Sequence, residues 1–127
     1  MSILPVIKHV SEGFADGWND PIKGKVSWHT IFSGGLTPTN SLTLGVAELE
    51  PGNNALNIHC HEAAEVYFIL SGQGMVYIDG KDYPVSAETA LFIPGNTLHG
   101  FKNAGQSTLR ILYAFAVDSF DEVVYKF

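Results

Sequence analysis

The sequence predicts an all-β fold, an antiparallel sandwich or barrel, and three observations carry that expectation. Short apolar runs recur along most of the chain, turn residues separate them, and Gly and Pro come too often for a helical period to persist. Closely spaced short strands joined by tight turns pack as a β-sandwich or close as a barrel. At 127 residues the chain can bury a core without disulfides, and 46% hydrophobic residues with 13 glycines suits a turn-rich folded protein.

Taken in order, residues 1–41 are the least regular. "SEGFADGWNDPIKGK" (11–25) carries Gly, Asn, Asp or Pro every few positions and reads as a long loop, a kind of segment that is usually functional or flexible. Trp18 within it either covers a pocket or packs on an outer sheet. The barrel core is expected over 42–117. "LTLGVAELE" (42–50) ends at Pro51-Gly52, and "EVYFILSG" (65–72) runs to Gly72. "MVYIDG" (75–80) turns at Asp79-Gly80-Lys81, a strong hairpin signal. "ALFIPGN" (90–96) and "TLRILYAFAV" (108–117) complete the set. In the tail, 118–127, Ser119 and Glu122 have capping-box spacing and predict a short helical turn. No repeat, low-complexity tract or linker divides the chain, so a single domain over 1–127 is expected.

Charge and cysteine content narrow the partners. The formal net charge is −6 with only seven Lys and Arg, so the basic stripe that nucleic acid requires is absent. The single cysteine, Cys60, cannot pair within the chain, which agrees with a reducing compartment. The N-terminal "MSILPVIKHV" lacks an apolar run of signal-peptide length, and no run reaches the roughly 18 residues of a spanning helix. A soluble, cytoplasmic protein with no membrane partner is expected.

The chemistry concentrates in "HCHEAAEVY" (59–67). On a strand, His59 and His61 point to one face and Cys60 to the other, so two imidazoles can share one cation. Glu65 keeps that face if the intervening segment stays extended or bulges mildly, and Tyr67 lines up behind it. Cys60 is then a packed non-ligand, and Glu62 faces solvent. His9 and His29 lie in the irregular N-terminal region and are expected to be structural or superficial. A fourth donor, His99, follows the turn at Pro94-Gly95-Asn96 in "IPGNTLHGFKN" (93–103).

These residues resemble the two motifs of the cupins, small double-stranded β-helix (jelly-roll) barrels. His59, His61, Glu65 and Gly72 are in step with the first motif, Gly-x5-His-x-His-x3/4-Glu-x6-Gly. Pro94, His99 and Asn103 match the second, Gly-x5-Pro-x-Gly-x2-His-x3-Asn. The likeness spans about residues 40–117. Gly52 precedes His59 by one residue too many, which puts Asn53 where the family has Gly, while Asn96 and Glu88 replace the second motif's glycines. Asn is the non-glycine residue most tolerant of a left-handed backbone, and Glu88 affects a turn and no ligand. The resemblance implies that His59, His61, Glu65 and His99 bind one divalent cation. Three imidazoles and a carboxylate suit Fe, Mn, Ni, Co, Cu or Zn better than Ca or Mg.

Among cupins, the chain most resembles single-domain bacterial forms, including the short cupin-type dimethylsulfoniopropionate lyases. The likeness extends to "VSWHT" (26–30), to Tyr67 and to "FAVDSFDEVVY" (115–125). It implies β-elimination on a small carboxylate, with Tyr67 as base and Tyr125 also reaching the pocket. Two alternatives use the same barrel: a non-haem metal oxygenase, and a non-catalytic cupin that binds a metal or small ligand. Few cations are at hand for an anion, namely Lys23, Lys25, Lys102 and Arg110, which suggests a small monoanionic or zwitterionic substrate. Cupins also imply a homodimer through outer sheet faces, for which "LRILYAFAV" (109–117) is apolar enough.

Overall fold

The computed structural model describes residues 3–52 and 54–127, so the departure at Asn53 lies outside the described residues. Among the described residues, ten strands form one antiparallel sheet that curls into a jelly-roll barrel. They are β1 Phe14–Asp20, β2 Gly24–Phe32, β3 Thr43–Leu49, β4 Ala55–His59, β5 Glu65–Ser71, β6 Gln73–Ile78, β7 Lys81–Ser86, β8 Ala90–Ile93, β9 His99–Asn103 and β10 Leu109–Phe115. The order is β7-β6-β9-β4-β2-β3-β10-β5-β8, with β1 paired to β2. The all-β expectation therefore holds, and every predicted run from 42 to 117 is a strand. No helix among the described residues is long and apolar enough to cross a membrane.

The expected loop over 11–25, and with it the irregular segment 1–41, is corrected. β1 and β2 form a hairpin registered from Phe14 opposite Thr30 to Asp20 opposite Gly24. At its turn the Asp20 carboxylate accepts the N–H groups of Ile22 (2.9 Å) and Lys23 (2.6 Å). The turn residues thus belong to a short corner. β1 is an edge strand exposed along nearly all its length, so it carries no hydrophobic alternation to reveal it. β2 does alternate, burying Val26, Trp28 and Thr30.

Two local predictions are seen in atomic detail. Asp79 (φ 46°) and Gly80 (φ 95°) turn the β6–β7 hairpin with both central residues left-handed, as its twist requires. Ser119 caps the 3-10 turn Phe120–Glu122, accepting from Asp121 N–H while Glu122 accepts from Ser119 N–H. Glu88 and Asn96 both sit at positive φ (72° and 63°), where glycine is the unstrained residue. The β10 run splits by parity. Leu109, Ile111, Tyr113 and Phe115 enter the core, which leaves Leu112 and Ala114 half-buried on the outside.

Candidate metal centre and pocket

His59 ends β4, Glu65 opens β5 and His99 opens β9, where it lies directly opposite His59. His61 follows β4 in the link to β5. All four are buried, His59 and His99 completely. Cys60 sits on the other side, joined to Lys126 by a pair of main-chain hydrogen bonds (3.0 and 2.9 Å), and Glu62 is exposed. His9 is exposed and caps the first 3-10 turn, while His29 is half-buried on β2. The two motif segments are latched together: Asn96 N–H donates to His61 O (2.7 Å). Gly95 packs so closely on the Glu62 carbonyl that a Cβ would lie 2.2 Å from its oxygen. The motif asparagine, Asn103, is structural, donating from Nδ2 to Leu49 O (2.7 Å) and Ser107 O (2.9 Å).

Hydrogen bonding orients each imidazole. His59 Nδ1 meets Asn57 O at 2.7 Å, His61 Nδ1 meets Ala63 O at 2.7 Å, and His99 Nδ1 meets Thr97 O at 2.8 Å. A carbonyl only accepts, so Nδ1 carries the proton in each ring and Nε2 keeps a lone pair. Ring nitrogens of the three histidines lie within 4.8 Å of one another. Glu65 Oε1 stands 3.2 Å from His61 Nε2 and 3.3 Å from His99 Nε2. Despite this crowding, all three Nε2 atoms and Glu65 Oε1 are buried without a hydrogen-bond partner of acceptable geometry. Buried polar atoms are almost always paired, so four orphans at one point call for a shared partner. A divalent transition cation fits them: the donors are three nitrogens, oriented by the carbonyl contacts of their rings, and one carboxylate oxygen.

Electrostatics differ within the cluster. Burial, aided by the His99 charge, lowers the His59 pKa to about 4. Burial also opposes a charge on His61, but Glu65 outweighs it and raises the pKa. For Glu65, burial favours the neutral acid, yet His61 and His99 outweigh it and hold the carboxyl below its usual value.

Beside the cluster, Glu65 opens onto a cavity walled by Trp18, Trp28, Tyr67, Tyr113, Phe120 and Tyr125. Tyr67 is buried with its ring 6.0 Å from His99, and Tyr125 lies 5.0 Å from His59 and 5.1 Å from His61 between centroids. Burial and then the Glu65 charge push both phenols well above the ordinary tyrosine pKa. A cation among the histidines would oppose the second effect. Trp18 does cover a pocket. It packs edge-on against Trp28 (4.8 Å), Tyr125 (5.1 Å) and Phe127 (5.7 Å), with Lys23 Nζ 4.8 Å above it. The cavity offers about 30 Å³, little more than one water, so a larger ligand would need some of these side chains to give way. No Lys or Arg lines it, and Arg110 is paired to Glu48 (2.9 Å) instead. Trp28, Tyr113 and Phe120 escaped the sequence reading. For Tyr113 the inward parity shared with Ile111 and Phe115 was the available signal.

A β-barrel that gathers three anchored imidazoles and a carboxylate at its strand ends defines a small barrel protein with a candidate metal centre. The chain matches the cupin domain over residues 45–115 and belongs to that family. It is 40% identical over 111 residues to the dimethylsulfoniopropionate lyase DddW of Ruegeria pomeroyi, covering 87% of this chain and 72% of that one. It is 30% identical over 91 residues to the oxalate-binding protein of Thermotoga maritima, covering 71% and 74%. The fold is shared with the polyketide cyclase RemF of Streptomyces resistomycificus, with a TM-score of 0.80, 20% identity, and coverage of 97% and 84%.

Proposed function

We propose that this cupin is a metal-dependent lyase that performs base-assisted β-elimination on a small carboxylate such as dimethylsulfoniopropionate. The observation that carries this reading is two phenols, Tyr67 and Tyr125, sharing one aromatic cavity with Glu65 beside the histidine cluster. The 40% identity to DddW supports the same choice. His59, His61, Glu65 and His99 would hold the cation, which supplies Lewis-acid polarisation of a substrate carboxylate.

The chain's own groups account for the rest. Tyr67 Oη, deprotonated only where a cation at the histidines offsets both burial and the Glu65 charge, takes the proton from the carbon next to the carboxylate. The C–H electron pair becomes the new C=C bond, and the C–S bond breaks with its electrons on sulfur. The products are acrylate and dimethyl sulfide, and Tyr67 is left protonated. The aromatic walls suit the sulfonium head, since ring faces attract a desolvated cation. A pocket without Lys or Arg likewise favours a zwitterion over a polyanion. The mainly apolar lining lowers the local polarity, which strengthens each of these electrostatic contacts. Tyr125, between Trp18 and the imidazoles, orients the ligand.

The test is headspace detection of dimethyl sulfide from protein reconstituted with Fe, Mn, Ni, Co, Cu or Zn and given dimethylsulfoniopropionate. Release of sulfide and acrylate in equal amounts is expected. No release with any of these metals overturns the lyase reading. A second reading, small-carboxylate binding without turnover, is favoured by the likeness to the oxalate-binding protein. It predicts carboxylate uptake with no product, whereas an oxygenase would consume oxygen. We also propose that the protein is a cytoplasmic homodimer. The outer face of β5 and β8 supports a dimer, because Val66 and Phe92 lie opposite each other there, 45% and 68% exposed. Light scattering at the monomer mass would exclude it.

A further inference from the structure

Five buried side-chain polar atoms lack a hydrogen-bond partner among the described residues. Four are the donor atoms of the metal centre, and the fifth is Tyr113 Oη, on a residue only 5% exposed. Tyr113 lines the same cavity as Glu65, Tyr67 and Tyr125, but nothing in the reaction uses it.

The backbone has been shaped around this phenol. One rung of the sheet runs Thr30, Gly45, Tyr113, Tyr67 and Leu91 across β2, β3, β10, β5 and β8. Gly45 lacks a side chain, and the ring of Tyr113 occupies the vacated space. A Cβ on Gly45 would lie 2.4 Å from Tyr113 Cζ and 2.2 Å from Oη. Gly45 has no positive φ to explain it, so close approach is the reason for glycine there. Thr30, on the far side of Gly45, is the protein group placed to pair with the phenol, yet Oη makes no hydrogen bond of acceptable geometry. A hydroxyl buried this deeply and left unpaired, in the wall of a ligand cavity, is a donor held ready for the ligand.

We infer that Tyr113, seated over Gly45, donates its O–H to an oxygen of the bound carboxylate and so fixes the ligand's orientation against Tyr67. The inference rests on the small-carboxylate reading for the ligand's chemistry and is independent of whether the ligand is turned over.

The test is calorimetric titration of manganese-loaded protein with propionate, a carboxylate without a leaving group, comparing wild type with Tyr113→Phe. The variant is expected to keep its metal, to melt no lower than wild type because it loses only an unpaired oxygen, and to bind propionate roughly tenfold or more weakly. If the lyase reading also holds, KM for the sulfonium substrate rises more than kcat falls. Unchanged propionate affinity overturns the inference, and so does a wild type that takes up no propionate. A lower melting temperature with unchanged affinity assigns the hydroxyl to a structural bond with Thr30 and also overturns it. Should Tyr113→Phe not fold, Gly45→Ala displaces the phenol and must weaken propionate binding likewise. Propionate binding that depends on Tyr113, without sulfide release, removes the lyase reading and leaves this one standing.

Discussion

The two poles of the cavity are built by opposite means. The histidine pole comes from two short segments, 59–65 and 94–99, whose imidazoles are oriented by main-chain carbonyls two residues away. The aromatic pole draws Trp18, Trp28, Tyr67, Tyr113, Phe120 and Tyr125 from five separate stretches of chain, held mainly by edge-to-face packing. Local hydrogen bonds make the first pole rigid before any ligand arrives. Ring contacts worth about 0.5–1.5 kcal/mol each can be broken singly, which lets the second pole open. One pole is suited to holding charge at a point, and the other to admitting and enclosing a ligand.

Removing one donor should break the rigid pole outright. His99→Ala is expected to strip most of the bound metal, by roughly tenfold or more in affinity, and to abolish turnover. Elemental analysis of purified protein decides this, and stoichiometric retention would take His99 out of the ligand set. Tyr67→Phe probes the junction of the poles. Metal content should hold while kcat falls by roughly 10²–10⁴-fold, measured as dimethyl sulfide release. Turnover near wild type would move the base elsewhere, with Tyr125 the next phenol to test.

Smaller effects separate the poles further. Trp18→Ala removes three edge contacts and should destabilise the fold by about 1–3 kcal/mol in denaturant titration, leaving metal binding intact. Trp28 is then the sole tryptophan, and its fluorescence should become more accessible to a soluble quencher. Unchanged quenching would mean that Trp18 is not the cover. The smallest effect is expected at Cys60→Ser. The thiol is not among the clustered donor atoms, so metal content should be unchanged and stability altered by less than about 1 kcal/mol. A large metal loss would overturn the strand alternation on which the site was first read.

The same contrast explains what could be read in advance. Strand parity, a rule that acts over a few residues, put His59 and His61 on one face, but Glu65 does not continue that strand: the chain bends over 61–64 and Glu65 reaches the cluster from the start of β5. His99 was found through its turn and its likeness to a known motif. Trp18 was noticed as a possible cover, yet the segment holding it was read as a loop. β1 pairs along one edge and buries almost nothing, so its own composition carries no record of its partner. Phe120 and Tyr125 reach the cavity only because the tail folds back and Lys126 bonds to Cys60, across sixty-six positions of sequence.

By itself the sequence determined the β class, the hairpin at Asp79-Gly80, the capped turn at Ser119 and the pairing of His59 with His61 on one face. Each follows from backbone preference or side-chain parity over a handful of residues. Tertiary structure decided that the four donors lack other partners and that six aromatic side chains line the cavity beside them. It also decided that Gly45 gives its space to Tyr113. Burial and close approach are properties of segments brought together by folding, and no local pattern encodes which distant strand will supply the neighbour.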